Sequence, residues 1–152
     1  MEENRVTFEI VYSRVNEFLR RYPLNIAWRI KQHSKVVAKH INEDEDIIFI
    51  FPAQKNNKTL DIFSTVILAF TDKRILIAQK RLLWGYNLLS ITPDMFNDFE
   101  VYKGLIFGKV EIDTVKEVVD LSDIDPKALV EIETQLSEYL LKVKPCYMKE
   151  NM

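Results

Sequence analysis

Apolar residues in the N-terminal part of the chain recur at helical spacing in two stretches. The first stripe runs from Phe8 to Tyr22, and Pro23 should end this helix because proline restricts the residue before it. A second stripe runs from Ile26 to Ile41, and proline is well tolerated in the first turn of the helix that carries it. The pattern predicts two antiparallel helices joined as a hairpin.

A run of acidic residues, Asn42-Glu43-Asp44-Glu45-Asp46, interrupts the helical pattern. The acids are adjacent rather than alternate, and no glycine turn follows them, so the run lacks the ligand spacing of an EF-hand. We interpret it as a solvated linker between the hairpin and the rest of the chain.

From Ile47 onward the pattern changes to short apolar segments that are rich in β-branched and aromatic residues. Some segments are continuous apolar runs, and others alternate, as around Val110 and Ile112. Tight connections separate them, so the pattern predicts seven strands of an antiparallel meander that curls into a barrel or a two-sheet sandwich. The predicted strands cover residues 47–53, 62–70, 74–80, 86–91, 99–104, 105–113 and 115–121.

An amphipathic helix is predicted after the last strand. Asp125 offers an N-cap, and Pro126 suits the first helical position. Apolar residues from Leu129 to Val143 then repeat at helical spacing, and Pro145 should end the helix. Together the elements predict an α+β fold in which a helical hairpin precedes the strands and one helix follows them.

The stretch FTDKRILIAQK sets a charged turn between two apolar strands. Thr71 and Asp72 can accept backbone N–H hydrogen bonds and so hold a two-residue reversal. Lys73 is expected to point into water, whereas Arg74 enters the next strand and is expected to pair with a carboxylate on a neighbouring strand or loop. The carboxylates that we consider for this pairing are Asp94 and Asp98.

Seven strands followed by one helix is the order of the pleckstrin-homology (PH) barrel, and several motifs strengthen the likeness. FTDKRILIAQK resembles the strand-turn-strand motif of bacterial PH domains, and EDEDIIFIF, YKGLIFGKVEI and LSDIDPKALVEI agree with it. The chain therefore resembles the YokE-like bacterial PH family over roughly residues 43–144. The resemblance implies a PH-like seven-stranded antiparallel barrel capped by a C-terminal helix.

The net charge of −2 conceals an asymmetry along the chain. Residues 1–42 hold eight Lys or Arg and four Asp or Glu, which gives +4, and the remaining residues hold 13 bases and 19 acids, which gives −6. A basic N-terminal segment on an acidic body suggests an anionic partner for that segment, or its docking on the body. Solvated charged faces are the simplest interpretation of both.

Composition bears on the cellular compartment. Cys146 is the single cysteine, so no intrachain disulfide can form, and this is typical of a reducing compartment. No apolar run reaches the roughly 18 residues that a membrane-spanning helix needs, and the first residues do not resemble a signal peptide. We expect a cytoplasmic protein.

Residue patterns give little support to catalysis. His33 and His40 share a helix face without a third ligand, and His33 on the apolar stripe is interpreted as a packed histidine. The chain has no P-loop, GxGxxG or GxSxG motif, and Cys146 has no evident activating base. We predict no enzyme activity, no cofactor and no metal.

Basic residues give the candidate binding sites. In a meander, alternate loops gather at one end of the barrel, where lysine and arginine side chains could attract an anion or a partner. The second predicted helix adds a basic face. The candidates are Lys55, Lys58, Lys80, Arg81 and Lys103 in the loops, and Arg29, Lys35 and Lys39 in the helix.

The segment Leu82-Leu83-Trp84 beside Arg81 admits two interpretations. Apolar residues next to bases at a loop tip can dip into a membrane interface. We prefer the alternative, in which they start the fourth strand, because leucine and tryptophan also suit the core face of a sheet.

We therefore expect residues 1–42 to form a helical hairpin, residues 43–145 a PH-like domain and residues 146–152 a tail. The predicted function is non-catalytic binding or scaffolding, with self-association through open sheet edges or the apolar hairpin. The alternative is a membrane-surface adaptor that binds anionic lipid through the basic helix and loops. Nucleic acid is disfavoured because the chain is acidic and shows no interleaved aromatic and basic residues.

Overall fold

A computed structural model describes residues 6–56 and 60–152 of the chain. Two helices come first, then seven strands, then a long interrupted helix. The bounds are α1 Phe8–Arg21, α2 Ile30–His40, β1 Ile47–Gln54, β2 Thr65–Thr71, β3 Ile75–Lys80, β4 Tyr86–Ile91, β5 Phe96–Lys103, β6 Gly108–Thr114, β7 Val118–Ile124, α3 Leu129–Glu138 and α4 Lys144–Glu150.

The seven strands form one antiparallel sheet in the order β4-β3-β2-β1-β7-β6-β5. β1 pairs with β2 along its length, but among the described residues its pairing with β7 is the single pair Gln54 and Ser122. β4 and β5, the first and last strands in that order, do not pair with each other within residues 6–56 and 60–152. The predicted α+β architecture, with a PH-like seven-stranded antiparallel sheet and a C-terminal helix, is confirmed, and the sheet is not closed.

The strands β1, β2 and most of β3 are buried on both faces, which explains their unbroken apolar runs. One face contributes to an inner cluster that includes Phe51, Phe70 and Ile132 of α3. The other face meets the helical hairpin in an outer cluster, whose members include Val15, Val37, Ile67 and Leu76. β6 has one solvated face and alternates buried with less buried residues, as its sequence predicts.

The N-terminal hairpin packs on its own chain. Besides the outer cluster, Arg14 donates to the backbone oxygens of Ile47 at 2.8 Å and Ile48 at 3.2 Å, and Arg21 pairs with Glu131. The basic segment is therefore docked on the acidic body, which is one of the two arrangements that the charge asymmetry suggested.

The second helix begins at Ile30, and the predicted start near Pro23 is wrong. The connection between α1 and α2 is instead held against the sheet through Asn25. Its Nδ2 donates to the oxygen of Pro52 at 2.6 Å, and its Oδ1 accepts the backbone N–H of Asp125 at 2.9 Å. The backbone N–H groups of Leu24, Ile26 and Trp28 also donate to distant residues rather than to a carbonyl four residues earlier, so no helix forms here.

The turn between β2 and β3 has the predicted backbone and an unpredicted partner. Thr71 Oγ1 accepts the backbone N–H groups of Lys73 at 3.1 Å and Arg74 at 3.0 Å, and Lys73 is exposed. The guanidinium of Arg74 pairs with Glu45, from Nη2 to Oε1 at 2.9 Å and from Nε to Oε2 at 3.1 Å. The predicted partners Asp94 and Asp98 are therefore wrong.

Glu45 is only 1% exposed, so the prediction that its acidic run is a solvated linker is wrong at this residue. Its carboxylate also accepts the Thr71 hydroxyl at 2.7 Å and the Asn42 backbone N–H at 3.1 Å. Burial raises the pKa of Glu45, but the hydrogen bonds from Arg74, Thr71 and Asn42 outweigh burial and hold it below its ordinary value. The pair joins the end of the hairpin to the start of β3.

The C-terminal helix starts as predicted and ends later. Asp125 accepts the backbone N–H of Lys127 at 3.0 Å, as an N-cap should. Pro145 does not end the helix, because a π-helical turn over Tyr139–Val143 places it in the first turn of α4, where its missing N–H is not needed. Residues assigned to a tail are thus helical as far as Glu150.

Candidate functional site

A cleft of about 380 Å³ lies between the start of α2 and the turn that joins β3 to β4. Its apolar walls come from three separate segments of the chain: the α1–α2 connection, the end of the β1–β2 connection, and the β3–β4 turn. The apolar side chains are Trp28, Phe63, Leu82, Leu83 and Trp84.

The β3–β4 turn presents its apolar residues to solvent. Leu82, Leu83 and Trp84 are 60%, 79% and 72% exposed, and β4 begins only at Tyr86. The interpretation that they start the fourth strand is therefore wrong. The Arg81 N–H donates to the oxygen of Gly85 at 3.1 Å, and Gly85 has a positive φ of 78° that favours glycine, so the turn is closed behind its tip.

Three of the predicted binding residues meet at this cleft: Arg29, Lys80 and Arg81. No acidic residue lines it, and none of the three makes an ion pair within the described part of the chain. Arg29 lies over the ring of Trp28 at 5.5 Å and has a left-handed backbone with φ of 56°. The cleft therefore combines apolar walls with uncompensated positive charge.

His33 forms the floor of the cleft and is the packed histidine that the sequence predicts. It is 3% exposed, and its Nδ1 accepts the backbone N–H of Lys80 at 2.8 Å, which joins α2 to the end of β3. Burial, assisted by the nearby guanidinium of Arg29, lowers the pKa of His33 to about 4. The ring is neutral at physiological pH, so the charge of the cleft comes from its arginine and lysine side chains.

The remaining walls are held by direct contacts. The Trp28 N–H donates to Thr65 Oγ1 at 3.1 Å, and the Trp28 and Phe63 rings meet edge to face at 5.1 Å. Gln79 Nε2 donates to the oxygen of Phe63 at 3.0 Å, and Asn87 Nδ2 donates to Gln79 Oε1 at 3.0 Å. These bonds fix the backbone on both sides of the opening.

The other predicted binding residues do not line this cleft. Lys55 pairs with Glu117 at 3.1 Å, Lys35 lies over the ring of Phe8 at 5.5 Å, and Lys39 and Lys103 are exposed. Lys58 lies outside the described residues. The predicted basic face of the second helix is therefore divided, since Arg29 faces the cleft and Lys35 contacts α1.

A second, wider opening of about 840 Å³ lies beside β4. Leu88 and Leu89 of β4 line it, together with Lys55 and Glu117. β4 pairs with β3 alone among the described strands, so its other edge is unpaired.

Sequence reasoning missed Trp28 and Phe63 as site residues. Trp28 was assigned to the interior of a helix, and Phe63 to a strand, so neither was predicted to line a cleft. The available signal was that each aromatic residue follows a position that breaks regular structure. Trp28 follows Pro23, and Phe63 follows the polar loop before Leu60.

Two kinds of feature are absent from residues 6–56 and 60–152. These residues contain no group of three or more His, Cys, Asp or Glu side chains that could hold a metal ion. They also contain no helix that is long and apolar enough to cross a membrane.

The sequence matches the family model of the bacterial PH domain over residues 41–138. The chain belongs to the bacterial PH domain family. The match includes all seven strands and α3, and it leaves out α1 and α2. The cleft is thus built from both parts, because Trp28, Arg29 and His33 lie outside the PH domain match and the β3–β4 turn lies inside it. The narrower YokE-like resemblance stays a prediction.

Two solved structures are similar to this PH domain protein at low sequence identity. One is a DUF1696 family protein with a pleckstrin-homology domain from Shewanella loihica PV-4, with 12% identity, a TM-score of 0.48, and coverage of 83% of this chain and 92% of that one. The other is a pleckstrin homology domain from Shewanella amazonensis SB2B, with 14% identity, a TM-score of 0.48, and coverage of 81% and 98%. No curated protein matches the chain.

Proposed function

We propose that the chain is a non-catalytic binding module that assembles with a second copy of itself along the free edge of β4. The observation that carries the proposal is that this edge lacks the charged residues, prolines and bulges that often prevent edge-to-edge pairing. Its sequence, YNLLSI, contains no charged residue and no proline, and its pairing with β3 runs without a register shift.

The edge at the other end of the sheet is protected. β5 carries Asp98, Glu100 and Lys103, and its pairing with β6 shifts register between Phe96 and Asp98. Charges and bulges of this kind discourage a second strand from pairing. If copies of the chain associate, β4 is therefore the edge that should join them.

The helical hairpin gives less support to self-association than its sequence suggested. Its apolar stripe is buried in the outer cluster with β-strand residues of the same chain. An association that left this cluster intact would need another surface, and the β4 edge supplies one.

The membrane-surface adaptor has weaker support as a function of the basic helix. Lys35 contacts Phe8, Arg29 faces the cleft, and Val36 and Val37 are buried, so α2 has no apolar face left for lipid.

Light scattering of the full-length protein over a range of concentrations tests the proposal. We expect a mass above that of the monomer, which has a mass of 18.0 kDa. Asn87→Lys places a charge on the β4 edge and should return the protein to a monomer, whereas the matched change Asn97→Lys on β5 should not. A monomeric wild-type protein, or equal effects of the two variants, would contradict the proposal.

A further inference from the structure

The cleft between α2 and the β3–β4 turn has the chemistry of a ligand site, and Asn87 is the one residue of β4 in its lining. We propose that it binds a protein segment that carries carboxylates beside apolar side chains. Its size lies within the range of small ligand pockets, so it accommodates a few side chains of such a segment rather than a broad surface.

The positive charge of the cleft favours an acidic partner. Arg29, Lys80 and Arg81 reach the cleft from three positions, and no carboxylate of the described residues pairs with them. Unpaired bases beside apolar walls favour an anionic group that arrives with the ligand. A basic ligand would meet repulsion without compensation.

The exposed apolar side chains at the cleft favour a ligand that also carries apolar side chains. Leu83 and Trp84 are 79% and 72% exposed, and Phe63 is 64% exposed beside Trp28. Aromatic and leucine side chains left in water at the mouth of a cleft gain free energy when an apolar side chain covers them. Tryptophan and arginine are also the residues that most often dominate binding energy at protein interfaces.

The walls are fixed before any ligand arrives. The backbone of Lys80 is tied to His33, that of Trp28 to Thr65, and that of Phe63 to Gln79. A site whose walls are already ordered loses less entropy on binding.

A short protein segment fits these observations better than a membrane. The bases line a concave opening, and residues 43–152 carry a net charge of −6, so an extended anionic surface would also face repulsion from the rest of the domain. A short acidic segment would meet mainly the three local bases.

Selection of random peptides on the immobilised full-length protein tests the proposal. We expect the enriched peptides to combine Asp or Glu with Leu, Phe or Trp, and their binding to weaken as salt rises. Leu83→Ser and Lys80→Glu should each raise the dissociation constant of an enriched peptide about tenfold or more. Both side chains are outside the core, so circular dichroism should show an unchanged fold.

Two matched variants outside the cleft serve as controls. Leu105→Ser alters a leucine that is fully exposed, and Lys103→Glu alters an exposed lysine at the end of β5. Neither should change peptide binding. An absent or basic consensus, or equal losses in the controls, would overturn the proposal. So would peptide-independent binding to phosphatidylserine vesicles that Leu83→Ser abolishes, because the ligand would then be a membrane.

Discussion

The two halves of the sheet contain turns with the same backbone hydrogen bonds, but the charged residue of each turn is paired differently. Both contain a turn whose threonine accepts two following backbone N–H groups: Thr71 before Arg74, and Thr114 before Glu117. In the half made of β1 to β4, the charged residue of that turn pairs with a buried carboxylate. In the half made of β5 to β7, Glu117 pairs with Lys55 at the surface.

Coverage accounts for this difference. The hairpin and the C-terminal helix cover the faces of β1, β2 and most of β3, so polar groups there are buried and must be paired. The second half has a solvated face, where water can satisfy a charge. The turn in the first half therefore depends on one buried partner, whereas substitutions at the turn in the second half should cost less stability.

Removal of the hairpin should have the largest effect. Deletion of residues 1–42 would expose the outer cluster, including Ile67 and Leu76, to water. We expect the truncated protein to aggregate or to lose cooperative thermal unfolding. A soluble truncated protein with a native circular dichroism spectrum would show that β1 to β4 fold without the hairpin.

Removal of the buried carboxylate should have the next largest effect. Glu45→Ala leaves the Arg74 guanidinium without its partner and should lower the free energy of unfolding by about 3–5 kcal/mol. Glu117→Ala removes the surface pair and should cost less than about 1 kcal/mol. Urea unfolding of both variants measures the contrast, and similar losses would remove the distinction between the two halves.

Acid should destabilise the first half through His33. Its pKa is about 4 in the folded protein and near 6.5 when unfolded, so the unfolded chain binds the proton first as pH falls. His33 should have little effect on the free energy of unfolding above pH 6.5. That free energy should then decline by up to about 3 kcal/mol as pH falls towards 4. The decline above pH 5 precedes the titration of Glu45, whose pKa is lowered.

His33→Gln is the matched control for this pH dependence. Glutamine can accept the Lys80 N–H and does not titrate, so the stability of the variant should stay flat between pH 6.5 and 5. An unchanged slope in the variant would assign the acid sensitivity to another group.

The threonines themselves should show a smaller contrast. Thr71→Val removes two backbone hydrogen bonds and the hydroxyl that donates to Glu45, and should cost about 2 kcal/mol. Thr114→Val removes the equivalent backbone bonds without a buried carboxylate and should cost about 1 kcal/mol. Equal melting temperatures of the two variants would show that the hydrogen bond from the Thr71 hydroxyl to Glu45 does not stabilise the protein.

Local pattern predicted the elements of the fold well and their partners poorly. The seven strands, the Thr71 turn and the Asp125 cap follow from periodicity and turn chemistry, which act over a few residues. Glu45 lies among consecutive acids that look solvated, and only contact with Arg74, far along the chain, makes it a buried residue. The start of α2 was misplaced for the same reason, because Asn25 bonds to distant backbone.

The candidate site was predicted in part. Arg29, Lys80 and Arg81 were identified as basic residues, but their meeting depends on the tertiary packing of α2 beside β3. Leu82, Leu83 and Trp84 were assigned to a strand, because apolar residues are usually buried and a sequence pattern does not reveal that a turn exposes them.

Hydrogen exchange of the β4 and β5 backbone amides, measured at low and high protein concentration, tests most directly the claim that β4 joins copies of the chain. Pairing with a second copy would protect outward-facing amides of Tyr86–Ile91 as concentration rises, and would leave those of Phe96–Lys103 unchanged. We expect this selective protection of β4. Exchange of β4 that does not depend on concentration, or equal protection of β5, would contradict it.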